Sequence, residues 1–236
     1  MEALINKVNH EQGFPGLKYY ILGIFLITLV YCDQHTEKPN FRNHTKIQKR
    51  IPTVCVVDEA SLRDGPTAAA DWKTSIALGE KLTWLGIAET DSLKEDREYY
   101  KVELSDSSVG WTTSYALELN AEPAVIVDRA LLYRRPDLKT MTDKEFAAME
   151  FVAILETDTR WLKVMGENRR KKGWIERSAA SLKEDDIAVG VLATKAFAEK
   201  DDEKRRQRII DIIENPAFAN SGFIDELIAR LNFEED

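Results

Sequence analysis

Histidine and cysteine are scarce in this sequence. Its 236 residues include three histidines, His10, His35 and His44, and two cysteines, Cys32 and Cys55. All three histidines precede the first strand-like segment, so nothing beyond them can use an imidazole as base or metal ligand. Two cysteines are too few for a zinc site, and no Cys-x-x-Cys pair occurs. These absences leave few side chains for metal or nucleophilic chemistry.

The sequence motifs of common enzyme classes are also missing. There is no His-Glu-x-x-His, no Gly-x-Ser-x-Gly and no phosphate-binding Gly-x-x-x-x-Gly-Lys-Ser/Thr. The net charge of −8 argues against non-specific binding to nucleic acid. We therefore predict a protein that is not an enzyme, needs no cofactor or metal, and has no nucleic-acid partner.

A ten-residue stretch occurs twice and indicates the architecture. Residues 57–66 and 127–136 carry Val, Asp, Ala, Leu and Pro at the same five places. After it, each copy contains apolar runs of four to six residues, split by polar or glycine-containing breaks. Alternation of apolar and polar residues across 100–105 is typical of a strand buried on one face. Each copy is predicted to hold about five short strands, which makes the fold mainly β.

The order of motifs resembles the bacterial Src homology 3 domain. The first copy carries the elements Leu62-Arg63-Asp64-Gly65-Pro66, Tyr100-Lys101-Val102, Gly110-Trp111-Thr112 and Ser114-Tyr115-Ala116-Leu117. The second copy departs more, with Tyr133-Arg134-Arg135-Pro136 and Ser178-Ala179-Ala180 at the matching places. The resemblance implies two tandem small Src homology 3-like β-barrels, at 51–120 and 124–181. It also implies a cell-wall peptide or a protein as the partner.

The N-terminal 32 residues are predicted to be a leader or a short anchor. Residues 19–32 are uncharged and largely apolar, which is short for a spanning helix but suits a secretory signal. The segment ends in Leu29-Val30-Tyr31-Cys32, which resembles the lipid-attachment box of bacterial lipoproteins. Lipid attachment at Cys32 is the first interpretation; a retained membrane anchor, a signal without lipid and a buried segment are the alternatives. Residues 33–50 are polar and predict a flexible tether, so the protein would face the periplasm or exterior.

A small helical region is predicted at 187–236. Acidic residues followed by basic ones at 201–208 suit a helix dipole, and isoleucines at helical spacing follow. We expect the apolar stripes of these helices to pack on each other or on the second barrel; a partner-binding groove is the alternative. Thr142 followed by Glu145 is a capping-box pattern and predicts one helical turn inside the second copy.

Aromatic residues of the two copies are the candidate ligand-binding set. Such grooves bind extended or proline-rich peptides and can stack on sugars, whereas core packing is the competing interpretation. The candidates are Trp84, Tyr99, Tyr100, Trp111 and Tyr115 in the first copy and Tyr133, Trp161 and Trp174 in the second. Of the neighbours Tyr99 and Tyr100, alternation predicts that one faces outward. Cys55, in an apolar strand, is expected to be a buried thiol.

These features favour a non-enzymatic, envelope-anchored protein that binds cell-wall peptide or a protein partner through its tandem domains. One alternative is a structural scaffold whose helical C-terminal region carries the protein-protein contact. Another is a regulatory subunit or an enzyme with its site between barrel and helical tail.

Overall fold

The computed structural model describes residues 49–92 and 96–233. That part of the chain holds fourteen strands followed by three α-helices. The strands of the first copy are β1 Ile51–Cys55, β2 Ala60–Arg63, β3 Trp72–Ile76, β4 Lys81–Asp91, β5 Arg97–Glu103, β6 Val109–Thr113 and β7 Leu117–Leu119. Those of the second are β8 Glu122–Ile126, β9 Ala130–Tyr133, β10 Met141–Phe146, β11 Phe151–Thr157, β12 Trp161–Gly166, β13 Lys172–Glu176 and β14 Ala180–Ser181. The helices are α1 Glu184–Phe197, α2 Asp202–Glu214 and α3 Ile224–Phe233.

The two copies form two antiparallel sheets with the same strand order. The first sheet runs β3-β2-β6-β5-β4-β1-β7 and the second runs β10-β9-β13-β12-β11-β8-β14. Every strand of the second sheet thus occupies the place of the strand seven earlier, and the predicted mainly β fold with C-terminal helices is confirmed. Seven strands per copy correct the expected five. Among the described residues no strand pairing closes either sheet, so the barrel itself stays a prediction.

Each copy has a separate apolar core on one face of its sheet. Leu62, Ile76 and Val102 are fully buried in the first core, and Ile126 and Ile175 are fully buried in the second. Alternate residues on these strands enter the core because successive side chains of a strand point to opposite faces. The alternation seen in the sequence therefore marks the core strands correctly.

A further core joins the two copies to the first helix. Val54 of β1, Val56 directly after this strand, Phe151 and Ala153 of β11, and Val191 of α1 are buried together in it. Residues 53–55 of β1 and 151–154 of β11 are therefore buried on both faces, which is why these stretches lack the apolar–polar alternation of a half-buried strand. Lys46–Asp236 forms a compact unit of its own, with every described strand and helix in it.

The helices pack on each other and on the second sheet, as predicted. Val125 of β8 and Met149 share a core with Ile209, Ile212 and Leu227 of the helices, all five side chains being buried. Helix α1 lies so close to this sheet that a Cβ at Gly190 would overlap the Val125 side chain. Glycine at that position permits the close approach. The helical region begins at Glu184, three residues before the predicted boundary.

The predicted leader 1–32 with Cys32, and nearly all of the tether 33–50, lie outside the described residues. Within the described part of the chain, no helix has both the length and the apolar character needed to cross a membrane.

Candidate binding site

The eight aromatic residues predicted to contact a ligand fall into two groups. Half-buried or exposed rings belong to Trp84, Tyr100, Trp174 and Tyr115. Buried rings belong to Tyr99, Trp111, Tyr133 and Trp161. Stacking on a ligand needs an accessible ring face. The four buried rings have almost none left, so their predicted ligand-binding role is corrected to a packing role.

The burial of Trp111 follows from the row of residues beside it. Trp111 on β6 pairs with Lys101 on β5 and with Arg63 on β2, and paired residues lie on the same face of a sheet. Lys101 Nζ lies 5.7 Å from the centre of the Trp111 ring, and Lys163 Nζ lies 5.8 Å from that of Trp174. The same cation–π contact therefore occurs in both copies, and each lysine covers part of its indole.

The other buried rings also pack against sheet neighbours. Tyr133 and Trp161 meet edge to face, with ring centroids 4.9 Å apart, a favourable arrangement for two aromatic rings. Tyr99 lies between its strand partners Glu89 and Thr113. Its neighbour Tyr100 points to the core side and is half-buried. Neither ring is fully exposed, and Tyr100 is the member of this pair that keeps accessible surface.

Tyr100 and Tyr115 line an open groove where the two copies meet, whereas Trp84 is not part of its lining. We call it the junction groove; its volume is about 500 Å³. It is lined by Tyr100, Ser114, Tyr115, Leu117, Glu118, Leu119 and Arg169. Tyr115 lies in a single 3-10 turn, Ser114–Ala116, and its side chain is 56% exposed. Arg169 comes from the turn between β12 and β13, so both copies build the groove.

All three nitrogen atoms of the Arg169 guanidinium contact the first copy. Its Nε donates to Tyr115 O at 2.9 Å, one Nη donates to Leu117 O, and the other lies 2.9 Å from the Glu118 carboxylate. The guanidinium also lies 5.6 Å from the centre of the Tyr115 ring. The planar fork of arginine suits this set of acceptors, whereas a lysine could reach only part of it. Glu118 is compensated by this charge.

The turn that carries Arg169 has an unusual backbone. Asn168 and Arg169 have φ angles of 53° and 58°, a left-handed conformation that costs non-glycine residues roughly 1 kcal/mol each. Two hydrogen bonds to the first copy hold the turn: Asn168 N donates to Val56 O at 2.8 Å, and the Tyr115 hydroxyl donates to Asn168 O at 3.0 Å. The strain persists because contacts between the copies fix the conformation.

Tyr100 supplies the second ring of the groove. It stacks on Trp84, with centroids 4.8 Å apart and ring planes at 25°, and Trp84 Nε1 donates to Ile87 O at 3.0 Å. Burial, and then the neighbouring carboxylate of Glu98, raise the pKa of Tyr100. The phenol is therefore a neutral hydrogen-bond donor throughout the physiological range. Tyr100 and Tyr115 together offer a ligand two fixed rings with polar tips.

A second concavity of about 350 Å³ lies between the two copies and α1. Leu78, Phe151 and Val191 belong to its lining. Lys195 Nζ lies 2.6 Å from Asp58, and Lys171 Nζ donates to both carboxylate oxygens of Glu150 at 2.8 and 3.0 Å. These charges compensate one another, and none of the eight predicted aromatic residues belongs to the lining of this cleft.

The described part of the chain holds neither a cluster of metal ligands nor a reactive thiol. No group of three or more His, Cys, Asp and Glu side chains there could hold a metal ion. Burial raises the pKa of the Cys55 thiol to about 12, and Sγ donates to Val57 O at 3.1 Å. The expectation of a buried thiol is confirmed. A protonated thiol is a poor nucleophile.

We expect the fragment Lys46–Asp236, in which Cys55 is the only cysteine, to resist thiol reagents at pH 8. Its thiol is inaccessible and stays protonated there, because its pKa is about 12. Ellman's reagent should report no accessible thiol in the folded fragment and one per chain after unfolding in guanidinium. Fast reaction of the folded fragment would show instead that β1 opens readily.

Sequence reasoning missed the most exposed tryptophan. Trp72, the first residue of β3, has 61% of its side chain exposed. It pairs with Arg63, as Met141 pairs with Tyr133 in the second copy, so Trp72 and Met141 occupy equivalent positions. Met141 is exposed as well, at 57%. Position within a short, polar edge strand was the signal that could have separated Trp72 from the buried tryptophans.

Comparison with known proteins gives matches to solved structures alone. No protein-family model and no curated protein matches the sequence. The chain is similar to NlpC2 from Trichomonas vaginalis, with 15% identity over 64% of this chain and 56% of that one, at a TM-score of 0.25. An NlpC/P60 family protein from Bacillus cereus ATCC 10987 gives 17% identity over 55% of each chain, at a TM-score of 0.25. The native CBDP35 structure gives 12% identity over 58% of this chain and 98% of that one, at 0.18.

The chain spans little more than half the length of the two NlpC-type structures. TM-scores of this size do not establish a shared fold with any of the three.

Proposed function

We propose that this protein is a non-enzymatic binding protein of the cell envelope that holds an extended cell-wall peptide or protein segment in the junction groove. One observation carries the proposal: Tyr115 is 56% exposed as a residue, yet its hydroxyl and its ring contact Asn168 and Arg169. A rigid exposed ring contributes contact area at low entropic cost when a ligand binds. Grooves lined by such rings recognise extended peptides.

The motif order supports a peptide ligand and an envelope location. In this proposal each sheet is a Src homology 3-type unit, as the residues Leu62–Pro66 and Gly110-Trp111 suggest. Lipid attached at Cys32, or a retained apolar segment at 19–32, would hold the protein at a membrane. The folded part would then face the periplasm or the exterior, where cell-wall peptide is available.

A pull-down with purified peptidoglycan tests the groove. The fragment Lys46–Asp236 should be retained, and Tyr115→Ala should weaken retention by about tenfold, the effect expected for removing one interface aromatic ring. The matched control is Trp72→Ala, which removes an exposed ring outside the groove and should bind as the wild type does. If Tyr115→Ala, folded by circular dichroism, binds as well as the wild type, the groove is not the site.

The same experiment separates the scaffold alternative. Among the helical residues whose burial the structure describes, Leu192 on α1 and Ile228 on α3 are the large apolar side chains left exposed. Replacing both with serine changes the helical surface without removing the buried core beneath it. Loss of retention in Leu192→Ser/Ile228→Ser, with Tyr115→Ala unaffected, would assign binding to the helical region instead.

A further inference from the structure

The connection between β9 and β10 is a loop that differs sharply from its counterpart in the first copy. We call residues 134–141 the basic loop. The counterpart, residues 64–72, carries the acids Asp64 and Asp71 and ends in exposed Trp72. At the matching places the basic loop has Arg134 and Thr140. The exposed apolar position has thus been kept through the duplication while the charge around it is reversed.

Three cations and two apolar side chains of this loop face solvent. Residues 134–139 are all exposed, and Leu138 and Met141 are 54% and 57% exposed as residues. Arg134, Arg135 and Lys139 outnumber the single acid Asp137. None of the three makes a salt bridge with a residue in the described part of the chain. The three side chains thus form a local cluster of positive charge on a chain whose net charge is −8.

Hydrogen bonds within the loop fix its shape. The Thr140 hydroxyl donates to Arg135 O at 2.9 Å, and Arg134 N donates to Thr140 O at 3.0 Å. Asp137 caps the 3-10 turn Leu138–Thr140 by accepting from Lys139 N at 2.9 Å. The single acid of the loop is therefore used for capping. A loop organised in this way presents Leu138 and its cations without a further loss of backbone freedom on binding.

We propose that the basic loop docks the folded part of this protein on an anionic lipid bilayer. Leu138 and Met141 would enter the interface between headgroups and acyl chains, and Arg134, Arg135 and Lys139 would lie among anionic headgroups. Long basic side chains suit this place because their aliphatic stems pack on apolar surface while the charge stays in water. A soluble polyanion would use the cations and give no role to exposed Leu138. The combination therefore favours a membrane over a free phosphate polymer.

Vesicle flotation of the fragment Lys46–Asp236, which lacks the apolar segment 19–32, tests this proposal. The fragment should float with vesicles of phosphatidylcholine and phosphatidylglycerol, and not with phosphatidylcholine alone. Replacing Arg134, Arg135 and Lys139 by glutamine should lower the partition coefficient roughly 100-fold, about fivefold for each cation. Leu138→Ser/Met141→Ser should lower it at least tenfold, because both buried apolar contacts are lost.

Trp72→Ser provides the matched control. It removes the equivalent exposed residue from the counterpart loop, residues 64–72, and should leave flotation unchanged. Flotation by the glutamine variant equal to that of the wild type, or no flotation of the wild type, would overturn the proposal. So would binding that survives Leu138→Ser/Met141→Ser and is competed away by inorganic polyphosphate, which would mark a polyanion site. Tyr115→Ala should float normally, so failure here is distinct from failure of the junction groove.

Discussion

Replacing Arg169 with alanine is expected to lower the free energy of unfolding by about 3 kcal/mol, the range for removing one partner of a largely buried ion pair. The change leaves the Glu118 carboxylate without its cation and removes the donors to Tyr115 O and Leu117 O. It also leaves the left-handed turn at Asn168 with less to hold it. Urea denaturation at pH 7, followed by tryptophan fluorescence, measures the loss.

The adjacent residue supplies the control for that experiment. Arg170 carries the same charge, is exposed, and forms no salt bridge within the described residues. Arg170→Ala should change the unfolding free energy by less than about 0.5 kcal/mol. In the double variant Arg169→Ala/Glu118→Ala part of the loss should be recovered, because no buried charge is then unpaired. Equal stability of Arg169→Ala and Arg170→Ala would mean that the apolar core between the copies holds them together without the contacts of Arg169.

The duplication was readable from sequence because both copies use the same strand positions. Five identical residues in register, including Asp58 and Asp128, indicated one β unit made twice, and the sheets have matching strand orders. The expected strand count was too low because the edge strands are hard to detect. Strand β14 is two residues long, and β3 is mostly exposed and polar. Neither shows the alternation that reveals a half-buried strand.

The prediction of a helical turn at residues 142–145 was wrong, because this segment pairs as a strand. The capping-box pattern of Thr142 and Glu145 predicted a helical turn, but both residues lie in β10. The Thr142 hydroxyl donates to Leu132 O at 2.8 Å, and Glu145 pairs with Leu131 on β9. Hydrogen bonding to a neighbouring strand outweighs the few tenths to about 2 kcal/mol that a cap contributes. The helical turn lies just before it instead, at Leu138–Thr140.

The candidate site was only partly predictable, because half of it comes from the other copy. Tyr100 and Tyr115 belonged to the predicted aromatic set, whereas Arg169 did not. Arg169 lies more than fifty residues along the chain from the carbonyl groups it binds, and an arginine in a turn resembles any solvated side chain. The apolar–polar periodicity of a strand predicts which of its faces is buried. It does not predict which turn of the other copy will contact that strand.

Replacing Asp186 with alanine should cost about 3 kcal/mol of unfolding free energy at pH 7, as expected for a buried charged acceptor that loses several hydrogen bonds. Its carboxylate accepts from the Ser181 hydroxyl at 2.6 Å, the Ser221 hydroxyl at 2.9 Å and Gly222 N at 2.8 Å. One buried side chain in the first turn of α1 thus joins β14 to the segment before α3. Burial acts to raise the pKa of Asp186, but these hydrogen bonds outweigh it and lower the pKa overall.

The sign of the pH dependence follows from that lowered pKa. The folded state holds Asp186 ionised at a pH where the unfolded chain, with an ordinary carboxyl pKa of about 3.9, already binds a proton. The stabilisation is complete above this value and is lost as the pH falls through the lower pKa of the folded state. Denaturation curves between pH 7 and acid conditions should therefore converge for wild type and Asp186→Ala.

Glu184→Ala is the control for this experiment. It removes a charge from the same helical turn, but Glu184 only forms an exposed pair with Lys81, worth less than about 1 kcal/mol. If Asp186→Ala and Glu184→Ala were equally stable at pH 7, the three hydrogen bonds to Asp186 would contribute nothing to holding the helical region on the second sheet.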